Sequence, residues 1–254
     1  MPAVSVQAGN TIFVKVVTDE EEVTRPKIWQ QRLATRISNA SDIIGQYTNL
    51  RFQVQEFGTW RSDNRINDLS QSLRELEQEV SPEPAQIVIA FSSQYKFLRG
   101  RNGLGGTRGP LHSHILLRES APKVFENERL EALVHEMGHF LGASHSGQLT
   151  SCMRPVVGDG QARATTFQIG FDKHNARVIR LVGREVELFR VRKFRDLSQP
   201  TKVKLKAEYE ALQKELPNDP ASPRFLELLT RPSSRRSPTL PFSPQPQPQR
   251  KPSR

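Results

Sequence analysis

Two histidines four residues apart, followed by a glycine and a third histidine, constrain this chain more than any other feature. The segment from residue 135 to residue 145 reads HEMGHFLGASH. Residues four apart share one face of an α-helix, so His135 and His139 can direct their imidazoles at a single point. Gly142 can adopt a positive φ, which ends the helix and turns the chain sharply. His145 follows three residues later and can swing back towards the same point.

Three histidines at this spacing form a candidate metal site. Histidine nitrogens are common zinc ligands, and three protein ligands leave a fourth position open, as in catalytic rather than structural zinc sites. Glu136 lies next to the first histidine and can accept a proton from water and later pass it to a leaving amine. The H-E-x-x-H pattern is a zinc-hydrolase signature. We predict one catalytic Zn²⁺ as the cofactor, and nothing in the sequence indicates structural calcium.

The wider pattern resembles the metzincin clan of zinc endopeptidases. HEMGHFLGASH matches the extended H-E-x-x-H-x-x-G-x-x-H motif of that clan. Residues 151–155 (SCMRP) look like the methionine-containing turn that lies beneath the zinc in the clan. Met153 comes eight residues after His145, and this spacing, with Ser146 after the third histidine, looks like the matrixin branch. The resemblance covers about residues 10–182.

The resemblance implies a role for each matching residue. His135, His139 and His145 would bind zinc, and Glu136 would be the general base that activates a zinc-bound water. Met153 would be the hydrophobic support under the metal. The implied activity is that of a zinc metalloendopeptidase acting on a protein or peptide substrate. The alternative is a catalytically inactive metzincin-like domain that acts as a binding module through its C-terminal region.

The sequence also departs from these families. Matrixins usually have tyrosine after the turn methionine, whereas this chain has Arg154, which we expect to face solvent or to pair with a carboxylate. Cys152 is the sole cysteine of this sequence, so we see no cysteine-switch propeptide in it, and it lacks the cysteine set that holds a second zinc in archaemetzincins. We interpret Cys152 as a small buried hydrophobic residue in the turn.

Hydrophobic periodicity predicts an α/β (α+β) fold. The expected architecture is metzincin-like: a mixed twisted sheet with an antiparallel edge strand, a long active-site helix, a small C-terminal subdomain and a disordered tail. The predicted strands cover residues 11–17, 50–57, 85–91 and 114–118. The predicted helices begin at residues 26 and 127, cover residues 67–80 and 205–216, and run from after residue 171 to about 182.

We divide the chain into three parts. Residues 10–195 form the catalytic domain, with an N-terminal subdomain to about residue 142 and a C-terminal subdomain from residue 143. Residues 196–230 form an amphipathic helical extension. Residues 231–254 form a basic, proline-rich tail that cannot bury enough apolar surface to fold. Such a tail agrees with the low hydrophobic share of the whole chain, 35%.

A substrate strand is implied by the resemblance. In metzincins the edge strand above the zinc pairs with an extended peptide, which is β-augmentation. Prolines at positions 110 and 122 bracket the strand at 114–118 and suit a sheet edge. Residues 156–169 would by analogy form a wall of the specificity pocket. The candidates for substrate binding are Gly105, Gly106, Ile115, Leu116 and Leu117.

The net charge of +10 is unevenly distributed. Residues 1–176 carry 19 basic and 19 acidic side chains, whereas residues 231–254 carry six basic and none that are acidic. The tail could therefore touch an anionic surface, or simply be solvated. Aromatic residues are scarce there, which argues against nucleic acid as a partner. The tail could also be a proline-rich ligand for an aromatic groove.

Other features leave alternatives open. His112 and His114 could be a metal pair, but residues two apart on a strand more often line a solvent face. We expect a structural or exposed role for His174. No apolar run is long enough to span a bilayer and no signal peptide is visible. The resemblance implies an extracellular or cell-envelope location, so localisation stays open, as does the oligomeric state.

Overall fold

Strands and helices alternate through the first half of the chain, and helices follow in the second half. The computed structural model describes residues 10–66, 68–94, 104–119 and 124–232. The strands are β1 (Thr11–Asp19), β2 (Arg51–Trp60), β3 (Ile87–Ser92), β4 (Gly105–Thr107) and β5 (His114–Arg118). The helices are α1 (Pro26–Gly45), α2 (Leu69–Glu79), α3 (Glu126–Phe140), α4 (Lys173–Phe189), α5 (Gln199–Glu215) and α6 (Ala221–Thr230).

The five strands form one mixed, twisted sheet in the order β2-β1-β3-β5-β4. The strands β1, β2, β3 and β5 run parallel to one another, whereas β4 runs antiparallel to β5. All six residues of β3 are buried, as expected for a central parallel strand covered on both faces. The predicted mixed α/β fold with an antiparallel edge strand is therefore confirmed.

Helices cover both faces of the sheet, because alternate strand residues point to opposite sides. Val16 and Ile89 join the larger core, to which α1 contributes Leu33 and α3 contributes Leu133. The neighbouring residues on these strands join a smaller core with α2: Val17, Val88, Leu73 and Leu76. The site helix α3 thus lies on the same face as α1, next to β4 and β5.

One strand lies in a different place from the one the sequence indicates. The prolines around 114–118 suggest a sheet edge, but β5 lies between β3 and β4, with both of its edges paired. Ile115, Leu116 and Leu117 are almost fully buried. The expectation that residues 114–118 form the sheet edge is therefore wrong. The substrate-binding role of these three residues stays a prediction. The edge strand is the short β4, which contains the other two candidates, Gly105 and Gly106.

The C-terminal helices pack against one another, α4 on α5 and α5 on α6. α4 begins where Asp172 caps its first turn, and α5 begins at the cap formed by Ser198. The extension at 196–230 contains two helices, and periodicity predicts only the one at 205–216, which corresponds to α5. The division at residue 195 stays a prediction, and most of the proline-rich tail, from residue 233 onward, lies outside the described residues.

No helix in the described ranges combines the length and the apolar character needed to cross a membrane.

A buried ion-pair network joins α1 to the segment that leads into α3. Arg36 is 2% exposed. Its guanidinium donates hydrogen bonds to both oxygens of Glu119, at 2.6 and 3.0 Å, and to both oxygens of Glu126, at 2.6 and 2.8 Å. Burial alone would raise the pKa of Glu119, but the hydrogen bonds and charge of Arg36, with Arg129 and Arg32, outweigh it and lower that pKa.

This depressed pKa predicts a loss of stability in acid. The unfolded chain holds the Glu119 proton more tightly than the folded chain, so its contribution is present above the ordinary glutamate pKa and is lost as pH falls below it. We expect Glu119→Gln to lower the free energy of unfolding by about 1–3 kcal/mol at pH 7. The difference from wild type should shrink towards pH 3 in urea titrations. An exposed control, Glu210→Gln, should show no such trend, and a difference independent of pH would contradict the assignment.

Candidate metal centre

The helix α3 carries the first two histidines on one face. The rings of His135 and His139 are 4.5 Å apart between centroids. The helix ends at Phe140, and Gly142 has a φ of +88°, as the sequence predicts. The chain then turns back, and the ring of His145 lies 5.0 Å from that of His139 and 5.4 Å from that of His135.

The three histidines converge on one point. A ring nitrogen from each of them lies within 4.8 Å of the other two. The turn that carries His145 is held by Asn175 of α4, whose amide group brackets Ser144. The Asn175 Oδ1 accepts the Ser144 N–H at 2.9 Å, and its Nδ2 donates to the Ser144 carbonyl at 2.9 Å. The histidine geometry is therefore fixed by tertiary contacts, in addition to the helix and the glycine turn.

Each histidine uses its Nδ1 to bind another part of the protein. His135 Nδ1 is 2.7 Å from the Cys152 carbonyl, and His139 Nδ1 is 2.8 Å from the Ala143 carbonyl. His145 Nδ1 is 2.7 Å from Oδ2 of Asp219. A carbonyl can only accept, so Nδ1 of the first two rings must carry the proton. Their Nε2 atoms then present a lone pair, which is the form that a metal binds.

Burial keeps the imidazoles of His135 and His139 neutral. Removal from water, with the neighbouring His145 ring, lowers the pKa of His135 to about 3. The pKa of His139 is also well below the ordinary value, mainly through burial and the nearby His135. Metal ligation requires the neutral imidazole, so both rings are in the state that binds a metal ion.

Glu136 follows His135 in α3 and is 5% exposed. Its Oε2 is buried without a hydrogen-bond partner among the described residues. Burial raises the pKa of Glu136 to about 8. An unpartnered buried carboxylate oxygen is costly. A divalent cation with its water beside the three histidines is a partner that would offset this cost, so the orphaned oxygen fits a metal site.

The predicted methionine turn lies directly against the site helix. Met153 is fully buried. A Cβ added at Gly138, in the last turn of α3, would lie 2.8 Å from the Met153 Sδ and 2.8 Å from the Phe171 ring. Glycine at 138 therefore permits the close approach of the turn to the helix. The same turn supplies the Cys152 carbonyl that binds His135, and the Cys152 side chain is buried as expected.

Arg154 fills the position where the resembling families have tyrosine. It is 2% exposed, so it does not face solvent. Its guanidinium binds both oxygens of Glu131, at 2.6 and 3.1 Å, and both oxygens of Asp159, at 3.0 and 2.8 Å. Glu131 lies one helical turn before His135 on α3. Of the two expectations for Arg154, carboxylate pairing is confirmed, and the pair ties the methionine turn to the site helix.

The edge strand β4 passes next to Glu136. A Cβ added at Gly105 would lie 2.9 Å from the Glu136 Cγ, 2.8 Å from the Leu117 Cδ2 and 3.0 Å from the Leu116 carbonyl oxygen. Gly106 faces the other side of the sheet, where a Cβ would lie 2.9 Å from Leu69 of α2. Among the described residues, no strand pairs with the outer edge of β4.

We expect Gly105→Ala to lower the rate of any reaction that depends on Glu136 by about 10²-fold. The added methyl group must displace the strand or the Glu136 side chain by a large fraction of an ångström. Gly106→Ala is the matched control, since it adds the same group to the same strand on the face away from Glu136. Steady-state kinetics of both variants, with thermal melts, checks this. Equal losses in the two variants would show a general effect on β4 instead.

A cleft of about 230 Å³ opens beside the histidines. Thr107 and Gly109 border it on one side, His139 and His145 form its floor, and the start of α6 borders the other side. A larger cleft of about 520 Å³ lies at the end of α1 against α4. None of the three histidines lines this larger cleft, whereas two of them line the smaller one, so the smaller cleft is the candidate for substrate.

The other histidines take part in separate contacts. His114 is buried and its Nε2 is 2.8 Å from the Val80 carbonyl, so it does not line a solvent face. His112 lies 3.6 Å from Glu77, and His174 binds Glu208 at 2.6 Å. The three histidines of the motif form the cluster found in the described ranges that could hold a metal, and His112 and His114 are not part of it.

Sequence reasoning missed two residues that hold the third histidine. Asn175 lies on α4 and Asp219 lies between α5 and α6, far from the motif along the chain. Neither belongs to a local pattern. The only available signal for Asp219 is the sequence Asn218-Asp219-Pro220, which indicates a turn but not its place in the fold.

Comparisons with known proteins give structural neighbours only. No family model matches the chain, and no curated protein matches its sequence. A crystal structure of archaemetzincin from Methanopyrus kandleri is similar over 68% of this chain and 96% of that chain, with 13% identity and a TM-score of 0.49. A structure of a chaperone–substrate complex is similar over 71% of this chain and 35% of that chain, with 14% identity and a TM-score of 0.47. At these values neither likeness carries a functional argument.

Proposed function

We propose that this protein is a zinc-dependent endopeptidase. The observation that carries the proposal is the convergence of three histidines whose Nδ1 atoms are engaged elsewhere. Glu136, the residue after the first of them, is buried and has one unpartnered carboxyl oxygen. The extended motif and the methionine turn support the same conclusion, because they bring the expected residues together in the fold.

The donor set suits zinc. Three imidazole nitrogens leave a fourth position for a reacting group, and His135, His139 and His145 would be the ligands of one ion. When bound there, zinc supplies a Lewis acid that polarises a carbonyl oxygen and lowers the pKa of water to about 7.

Glu136 is the proton carrier in this proposal. It follows His135 in α3 and is almost fully buried, so its carboxyl group is shielded from bulk water. It takes a proton from the water that attacks the peptide carbonyl, and it returns that proton to the nitrogen of the leaving amine. The neighbouring Gly105 keeps β4 close to the carboxyl group and so restricts its position.

The free edge of β4 supports binding of an extended peptide. Gly105–Thr107 can pair through their backbone groups with a substrate strand laid across the histidines. Gly105 and Gly106 remain candidates for this role, because their strand forms the edge. The buried residues of β5 hold that edge in place, because their backbone pairs with β4.

The matrixin-like character is part of the proposal and rests on the motif alone. Met153 and Ser146 match that branch in spacing, whereas Arg154 does not match it in type. At this position Arg154 instead forms an ion pair with Glu131, which links the methionine turn to α3. An extracellular or envelope location also remains a proposal by resemblance.

A digest of a random peptide library tests the function. Mass spectrometry of the products should reveal internal cleavage that stops with a zinc chelator and returns when zinc is added. Full cleavage in excess chelator would contradict the zinc mechanism. A zinc-loaded, folded protein that cleaves nothing would instead favour the inactive, binding-module alternative.

A further inference from the structure

The third histidine is held differently from the other two. His135 and His139 each bind a backbone carbonyl that lies close to the motif. His145 instead binds the carboxylate of Asp219, which lies 74 residues further along the chain in the turn between α5 and α6. A hydrogen bond to a charged acceptor is stronger than one to a neutral carbonyl, and it makes the opposite ring nitrogen a better metal ligand.

Both oxygens of Asp219 are in use. Oδ2 lies 2.7 Å from the His145 Nδ1, while Oδ1 accepts the Ala221 N–H at 2.9 Å. The second bond fixes the carboxylate at the start of α6, so its direction towards the ring is set by the helix. The two side chains are mostly buried, at 15% and 23% exposed, and therefore largely protected from water. A half-exposed surface pair would be worth much less.

The helices α5 and α6 also contact the turn before His145. The Tyr209 hydroxyl of α5 is fully buried and donates to the Gly142 carbonyl at 2.7 Å. The Ser222 hydroxyl of α6 lies 2.7 Å from that of Ser144. The Phe225 ring of α6 packs edge-on against the His139 ring, 6.4 Å away. With the Asp219 bond to His145, residues 142–145 are thus contacted at three points by a segment outside the motif.

We propose that Asp219 is a positioning residue for the metal centre, which orients the His145 ring and increases its strength as a ligand. The segment from 196 to 230 then completes the centre rather than merely extending the domain. This inference rests on the proposed function, because it assumes that His145 is a metal ligand. It assigns a role to a part of the chain that the motif does not reach.

The test measures zinc binding and uses no peptide substrate. Competition with a chromophoric chelator gives the zinc affinity, and the visible absorption of the cobalt-substituted protein reports the ligand geometry. We expect Asp219→Ala to weaken zinc binding about 10–100-fold and to change the cobalt spectrum. Asp219→Asn keeps one neutral acceptor oxygen, which can accept from the His145 ring or from the Ala221 N–H but not from both, so its affinity should lie between those of the alanine variant and wild type.

Glu208→Gln is the matched control. Glu208 of α5 binds His174 Nδ1 at 2.6 Å, which is the same kind of pair at a histidine that is not a ligand. It should leave the zinc affinity and the cobalt spectrum unchanged. Wild-type zinc affinity in Asp219→Ala, or an equal loss in Glu208→Gln, would overturn the inference while leaving the proposed function intact. A wild-type protein that binds no zinc would overturn both.

Discussion

Replacing Glu136 with glutamine should lower kcat by about 10²–10⁴-fold while the protein keeps its zinc. The amide has nearly the shape of the carboxyl group, so the packing against Gly105 is preserved. It cannot accept a proton from the attacking water or carry one to the amine nitrogen. The three histidines are unchanged, so the metal content should equal that of wild type.

The measurement combines single-turnover kinetics on a cleaved peptide with elemental analysis of the same preparation. Glu227→Gln is a suitable control, because Glu227 is on the surface of α6, where it pairs with the exposed Arg231. It should have wild-type kinetics. Wild-type kcat in zinc-loaded Glu136→Gln would rule out Glu136 as the proton carrier.

Replacing Arg154 with methionine should destabilise the fold by about 3–5 kcal/mol. The cause of this loss is that Glu131 is left buried without the guanidinium that neutralises it. Glu131 has no exposed surface, and Arg154 binds both of its carboxylate oxygens. A buried carboxylate without its cation must remain charged in the low-dielectric interior or take up a proton, and both lower the stability of the fold. Chemical denaturation of the two proteins measures the difference.

A double variant separates the loss of the pair from the loss of the arginine stem. Arg154→Met combined with Glu131→Leu removes both charges and should recover much of the lost stability, because a buried pair can often be replaced by apolar groups. If the double variant is less stable than Arg154→Met, the stranded charge is not the cause. The expected recovery would also show that Arg154 is structural rather than part of the chemistry.

Local pattern is enough to predict the core of the site. The spacing of His135 and His139 requires only that the segment be helical, and the apolar residues beside them favour a helix. Gly142 has the positive φ that the turn needs, so the direction of the chain towards His145 could also be predicted. These inferences depend on neighbours within about ten residues, where helix geometry determines the distances.

Long-range contacts could not be predicted in the same way. The prolines at 110 and 122 favour a sheet edge, but the position of a strand depends on which other strands pair with it, and β4 takes the edge instead. Arg154 and Asp219 bind carboxylate and imidazole groups from distant parts of the chain. The sequence shows their charge but not their partners, so burial and pairing emerge only from the fold.

The zinc content of the purified protein tests the central claim most directly. Elemental analysis after dialysis should give close to one zinc per chain for wild type and almost none for His139→Ala, with both proteins folded by circular dichroism. This result would establish that the three-histidine cluster holds the metal. Equal zinc in the two proteins, or none in folded wild type supplied with zinc, would contradict it.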